Sequence, residues 1–143
     1  MSPVPIRLDG SAVDNQNRVF YSTTIVASPA TNAETIVCQI PAISTDPPVT
    51  KVVELEGVAS FTVGTSGTAV RLRIRQTNVS GAVVAGSDTG ALTGGVSAGN
   101  LLSLSTTGWD ATPGVAVYVL TLQVTGGAAT STVSATSLGA TVT

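Results

Sequence analysis

The sequence predicts an all-β protein: an antiparallel sandwich, jelly roll or barrel preceded by an extended N-terminal arm. Three observations point there. Seven runs rich in Val, Ile, Thr and Leu follow one another, each bounded by Gly, Pro, Asn, Asp or Ser. No stretch carries the 3.6-residue apolar period of a helix. Hydrophobic residues make up 43% of the 143-residue chain but aromatic residues only 3%, so the core must be assembled from aliphatic side chains in regular, close-packed sheets.

Residues 1–17, "MSPVPIRLDGSAVDNQN", hold two of the seven prolines, an Asp-Gly turn signal and a polar cluster without sustained period, which predicts the arm. The predicted strands then run in order: "RVFYSTTIVA" (18–27), "ETIVCQI" (34–40), "TKVVELEGVASFTV" (50–63), "AVRLRIRQT" (69–77), "LLSLST" (101–106), "VAVYVLTLQV" (115–124) and "STVSATSLGATVT" (131–143). Residues 18–143 are read as one domain. The Gly-rich segment 78–100 predicts loops and one short strand near Ala82–Ala85.

The residues Gly64–Gly67 between "FTV" and "TAV" suit a hairpin loop. With Val63 opposite Thr68, Phe61, Ala59 and Gly57 would face Val70, Leu72 and Ile74 on the core side. Ser60, Val58 and Glu56 would then lie opposite Arg71, Arg73 and Arg75, with Glu54 diagonal to Arg75. A slip of one residue would bury the arginines, which fixes the expected register.

Those three arginines are half of the six basic residues, yet the chain carries a net charge of −2 and only 10% charged residues. An average domain has roughly 25%. The balance lacks the basic excess of a nucleic-acid binder, and no aromatic platforms interleave the arginines. A weakly charged surface of small residues fits self-association or life inside an assembly. Arg71 and Arg73, facing Ser60 and Val58, are expected at a protein interface opposite acidic groups.

No histidine is present, which removes histidine metal sites, Ser-His-Asp and Cys-His catalysis. "GVSAG" (Gly95–Gly99) fits G-x-S-x-G with Ser97 as nucleophile, but it lacks the strand–turn–helix context and the histidine partner. "SDTGA" (Ser87–Ala91) resembles the active-site loop of retroviral-type aspartic proteases. In that reading two Asp88 carboxyls share a proton across a dimer axis. "VDNQN" (Val13–Asn17) reads as a solvated turn, since a calcium loop needs a Gly and a closing Glu that it lacks. No cofactor or metal is expected. Cys38, the single cysteine, shares a strand face with Ile36 and Ile40 and reads as a buried small hydrophobe, so no internal disulfide forms. Trp109, the single tryptophan, is placed in a connection, where it caps the sandwich end or anchors a partner. The first residues lack the apolar core of a signal peptide, and no apolar run is long enough for a membrane span, so a soluble protein made in a cytoplasm is expected.

The runs "TTIVASPATNAETIVCQIPAI", "VELEGVASFTVGTSGTAVRLRIRQ" and "GVAVYVLTLQVTGGAATSTVSATSLGATVT" together resemble the small jelly-roll proteins of tailed phages that are related to capsid decoration, or cement, proteins. The resemblance covers about residues 19–143 and rests on strand order and two strand motifs, not on a catalytic signature. It implies a TNF-like jelly roll, a homotrimer, and binding at junctions between major capsid subunits on the outer surface of a virion. Contacts would come from the arm around Pro3, Pro5, Ile6 and Arg7, and from the Arg71, Arg73 and Arg75 face. A receptor- or glycan-binding jelly-roll module of a tail fibre or adhesin is the alternative, and the Asp88 protease a third.

Overall fold

The computed structural model describes residues 18–22, 32–43, 52–65, 67–111, 116–126 and 130–142. All seven expected strands are present, and no helix occurs among the described residues: β1 (Arg18–Ser22), β2 (Thr35–Ile43), β3 (Val53–Thr65), β4 (Ala69–Gln76), β5 (Leu101–Asp110), β6 (Ala116–Thr125) and β7 (Thr130–Val142). They form two antiparallel sheets, a four-stranded one in the order β1-β7-β3-β5 and a three-stranded one in the order β2-β6-β4. The expected arm, with Pro3, Pro5, Ile6 and Arg7, lies outside the described residues.

Period-two alternation drives this layering, because it gives each strand one apolar face to bury. In β3, Val53, Leu55, Ala59, Phe61 and Val63 point inward while Glu54 and Glu56 are exposed. Val70, Leu72 and Ile74 of β4 and Tyr118, Leu120, Leu122 and Val124 of β6 close the core from the other sheet. Cys38 is buried with them, as expected of a small hydrophobe. Gly57 sits where β3 approaches Leu120; a Cβ there would come within 2.6 Å of Leu120 Cδ1.

The hairpin expected between β3 and β4 does not form. β3 pairs with β5 and β7, whereas β4 pairs with β6 in the opposite sheet. The Gly-rich connection is a corner that carries the chain from one sheet to the other, held by Gly67 N–H on Val96 O and Thr68 N–H on Thr125 O. Phe61, Ala59, Val70, Leu72 and Ile74 are all buried as expected, but the two strands are opposed across the sandwich rather than side by side. The pairing of Glu56 with Arg75 is therefore lost, since the two residues point outward from different sheets.

Segment 82–92 lies along the free edge of β4 as a broken eighth strand, with isolated bridges Val70↔Leu92, Arg75↔Val83 and Ala85↔Trp109 in place of the short strand expected at 82–85. The outward amides of β4 are all satisfied. Val70 N–H donates to Leu92 O and Gln76 N–H to Ala82 O, both through backbone. Leu72 N–H donates to Thr89 Oγ1 and Ile74 N–H to Ser87 Oγ, so two hydroxyls stand in for carbonyls. An edge covered this way is closed to pairing with another chain. Counting this segment as a strand gives two four-membered layers wound as a jelly roll.

The segment also ties the two sheets together, because Trp109 N–H of β5 donates to Ala85 O and Thr106 Oγ1 to Ser87 O. Gly108 permits the close approach, since a Cβ there would lie 2.8 Å from Ala85 O and 2.9 Å from Ser87 Cβ. A second tie crosses the core. The buried Tyr118 hydroxyl donates to Asp110 Oδ2 at 2.7 Å, and Gln76 Nε2 donates to the same oxygen. Burial, with the Asp110 carboxylate adding to it, pushes the Tyr118 phenol far above its ordinary range.

Candidate interaction faces

The outward side of β4 builds a layer of alternating charge. Arg71, Arg73 and Arg75 stand opposite Gln123, Thr121 and Val119 of β6. Their counter-charges come from neither Glu54 nor Glu56 but from Glu34, just before β2, and from Asp88 in the edge segment. Arg75 grips Glu34 with two parallel bonds, Nε to Oε2 at 2.6 Å and Nη2 to Oε1 at 2.9 Å, and its Nη1 donates to Gly81 O at 2.8 Å. Arg73 Nη1 reaches the same Glu34 Oε1 at 2.8 Å, while its Nη2 donates to Gln123 Oε1 at 2.9 Å. Arg71 grips Asp88 in the same forked way, with Nε on Oδ1 at 2.8 Å and Nη2 on Oδ2.

The planar guanidinium suits this forked geometry, which is why arginine rather than lysine serves here. Burial works against the charge on Glu34, yet the hydrogen bonds from Arg75 and Thr121 and the charges of Arg73 and Arg75 outweigh it and hold its carboxyl below the ordinary range. The Arg71 hydrogen bond, helped by the Gly90 amide and the nearby charges, lowers Asp88 to about 2 against the opposing effect of burial. The hydrogen bond that each guanidinium donates to its carboxylate likewise raises Arg71 and Arg75. All three arginines thus have partners inside the chain, including Arg71 and Arg73, for which the sequence offered none.

The Asp-Thr-Gly triplet has a structural use in this layer. Asp88 holds Arg71 and accepts from Gly90 N–H, Thr89 caps the Leu72 amide, and Gly90 adopts a positive φ of 72°. A carboxyl held near 2 with both oxygens engaged is poorly suited to sharing a proton with a second aspartate. Ser97 of the G-x-S-x-G match lies in a turn between Gly95 and Gly99, which have positive φ of 75° and 86°, and the chain passes from there into β5 rather than into a helix. Among the described residues no group of His, Cys, Asp and Glu side chains is arranged to hold a metal ion.

Trp109 lies inside β5, not in a connection, and its side chain points out from the other sheet. It is 53% exposed, and its ring passes close to Gly86. The arginine layer and Trp109 therefore occupy opposite outer faces of the sandwich. Two outward rows run beside the tryptophan: Thr141, Glu54 and Trp109, then Gly139, Glu56 and Thr107. Gly139 contributes no side chain and the threonines are short, so the surface sinks into an open groove of about 620 Å³ walled by Trp109 and also bordered by Val52. Sequence reasoning missed this groove because its three strands, β7, β3 and β5, are far apart in the chain. It missed Glu34 and Asp88 as partners of the arginines because tertiary placement, not sequence spacing, brings them together.

No protein-family model and no curated protein matches the sequence. Among solved structures, the chain is similar to one from infectious bursal disease virus, Gt strain, with a TM-score of 0.61 and 14% identity over 98% of this chain and 37% of that one. A chain from the Gx strain of the same virus is similar with a TM-score of 0.53 and 15% identity, over 88% of this chain and 29% of that one. The chain spans about a third of the length of the viral chains it matches. At these identities the likeness is one of fold: a two-sheet antiparallel β-sandwich shared with chains of a virus.

Proposed function

We propose that the protein is a non-enzymatic structural component of a virion, one that decorates a phage capsid as a trimer and stabilises it by binding between major capsid subunits on the outer surface. The observation that carries this reading is the jelly roll itself, matched over nearly the whole chain in a virus structure. Its described charged cluster is spent on holding the fold, which leaves little chemistry for catalysis and much surface for contact. Such a protein works by mass action. It binds the assembled shell and not its dispersed subunits, so it shifts the balance toward the shell, and symmetry repeats each weak contact many times. Arm residues Pro3, Pro5, Ile6 and Arg7 and the exposed Trp109 are its contact candidates, with Arg71, Arg73 and Arg75 serving both the layer and any neighbour laid over it.

Light scattering on the purified full chain should give three times the chain mass, and the protein should co-sediment saturably with heads of the phage whose genome carries it. A monomer that fails to bind heads would remove the proposal. One observation favours the alternative of a glycan-binding module: Trp109 is an exposed aromatic beside hydrogen-bonding side chains. Saturable binding of a host-surface glycan by the isolated chain, without head binding, would establish that alternative.

A further inference from the structure

We infer that the groove beside Trp109 is a docking site for an arginine-bearing extended segment of the capsid protein that the chain decorates. This rests on the reading above and names the chemistry by which one face of the protein would recognise its partner.

Charge balance points to a cation. Among the charged residues whose side chains are described, Glu34, Arg71, Arg73, Arg75, Asp88 and Asp110 all have hydrogen-bond or ion-pair partners, and only Glu54 and Glu56 have neither. The two uncompensated carboxylates stand two residues apart on one face of β3, so their Cβ atoms are on the order of 7 Å apart. One guanidinium, with five donors spread in a plane, can reach both.

Aromatic and steric features agree with that. Trp109 is the Cα partner of Glu54, so its exposed indole stands beside the carboxylate that would hold the cation, the arrangement that adds cation–π attraction. The missing side chain at Gly139 and the short ones at Thr107 and Thr141 let a backbone lie close to the sheet. The groove, about 620 Å³, is of the size that takes a few residues rather than a single ion. A neutral glycan could stack on the indole but would leave both carboxylates without counter-charge, so a basic peptide segment fits better.

Trp109 is the chain's only tryptophan, and its emission therefore reports on the groove alone. The full-length protein is titrated with the peptide acetyl-Thr-Val-Arg-Val-Thr-amide, with its citrulline counterpart, with a peptide of residues 1–12 of this chain, and with cellohexaose. A saturable change in emission is expected with the arginine peptide, weaker by about tenfold or more with citrulline and weakened by added salt. Glu54→Gln/Glu56→Gln should lose the response while keeping the wild-type unfolding midpoint; Glu56→Gln alone, which leaves one carboxylate, should lose part of it. Equal binding of the arginine and citrulline peptides, or a response from cellohexaose alone, would overturn the inference. So would tighter binding of the 1–12 peptide than of the arginine peptide, since the occupant would then be a second copy's Arg7 segment. Head binding separates the two levels: heads still bound by Glu54→Gln/Glu56→Gln would remove the groove and leave the decoration reading standing. A wild-type protein that takes the peptide and ignores heads would do the reverse.

Discussion

Arg75 and Glu34 meet edge to edge, Nε on Oε2 at 2.6 Å and Nη2 on Oε1 at 2.9 Å, across 41 residues of sequence. The pair fastens the chain just before β2 to the far strand of the same sheet, across β6. Arg73 and Thr121 bind the same carboxylate, so four side chains from three parts of the chain depend on one another.

Glu34→Gln should therefore destabilise well beyond a surface substitution. It leaves Arg73 and Arg75, whose side chains are only 10% and 16% exposed, facing a neutral amide. Urea denaturation should show a loss of about 3 kcal/mol, the scale for removing one partner of a largely buried pair. A double-mutant cycle with Arg75→Met should give a large coupling energy.

Acid should weaken the fold over a defined window. Both Glu34 and Asp88 have folded pKa values below their unfolded ones, Asp88 at about 2, so fewer protons are bound in the folded state. The stability they contribute is fully present above about pH 5.5, a unit above the unfolded carboxyl values, shrinks below that, and is gone once pH has fallen through the folded values. Denaturation midpoints measured from about pH 7 down to about 2.5 should fall in that window, and Asp88→Asn should show a shallower decline from a lower starting point.

Tyr118→Phe removes the hydroxyl that reaches Asp110 across the core, while Gln76 Nε2 still donates to Asp110 Oδ2. A loss of about 1–3 kcal/mol is expected by chemical denaturation, the cost of a buried polar group that loses a partner.

Gly108→Ala forces a methyl against Ala85 O and Ser87 Cβ, neither of which is the free end of a flexible side chain. It should cost about 1–3 kcal/mol and speed amide exchange at Trp109, whose N–H is bonded to Ala85 O. Phe61→Ala, at a fully buried site on central β3, should cost about 3–5 kcal/mol.

The strands and their buried faces were legible in the sequence because alternation depends only on near neighbours. Phe61, Val70, Leu72 and Ile74 read as core and are core. Which strand lies beside which was not legible. A strand pair opposed across a sandwich and a pair hydrogen-bonded in one sheet bury the same residues, so the pattern of β3 and β4 fits either, and the Gly-rich loop serves a hairpin or a corner equally well. The charge partners went astray with it, since Glu34 and Asp88 reach the arginines through tertiary placement. Trp109 read as a loop residue because the run from Thr106 to Asp110, with a glycine at 108, lacks β-branched residues after Thr107, yet pairing with β3 carries the strand to Asp110.

Thermal stability of phage heads lacking the protein, measured by DNA release with increasing amounts of the purified chain, addresses the proposed role most directly. Trimeric binding between capsid subunits predicts a release temperature that rises with added protein and levels off at a fixed ratio of protein to head. A release temperature that stays that of bare heads at saturating protein would contradict it.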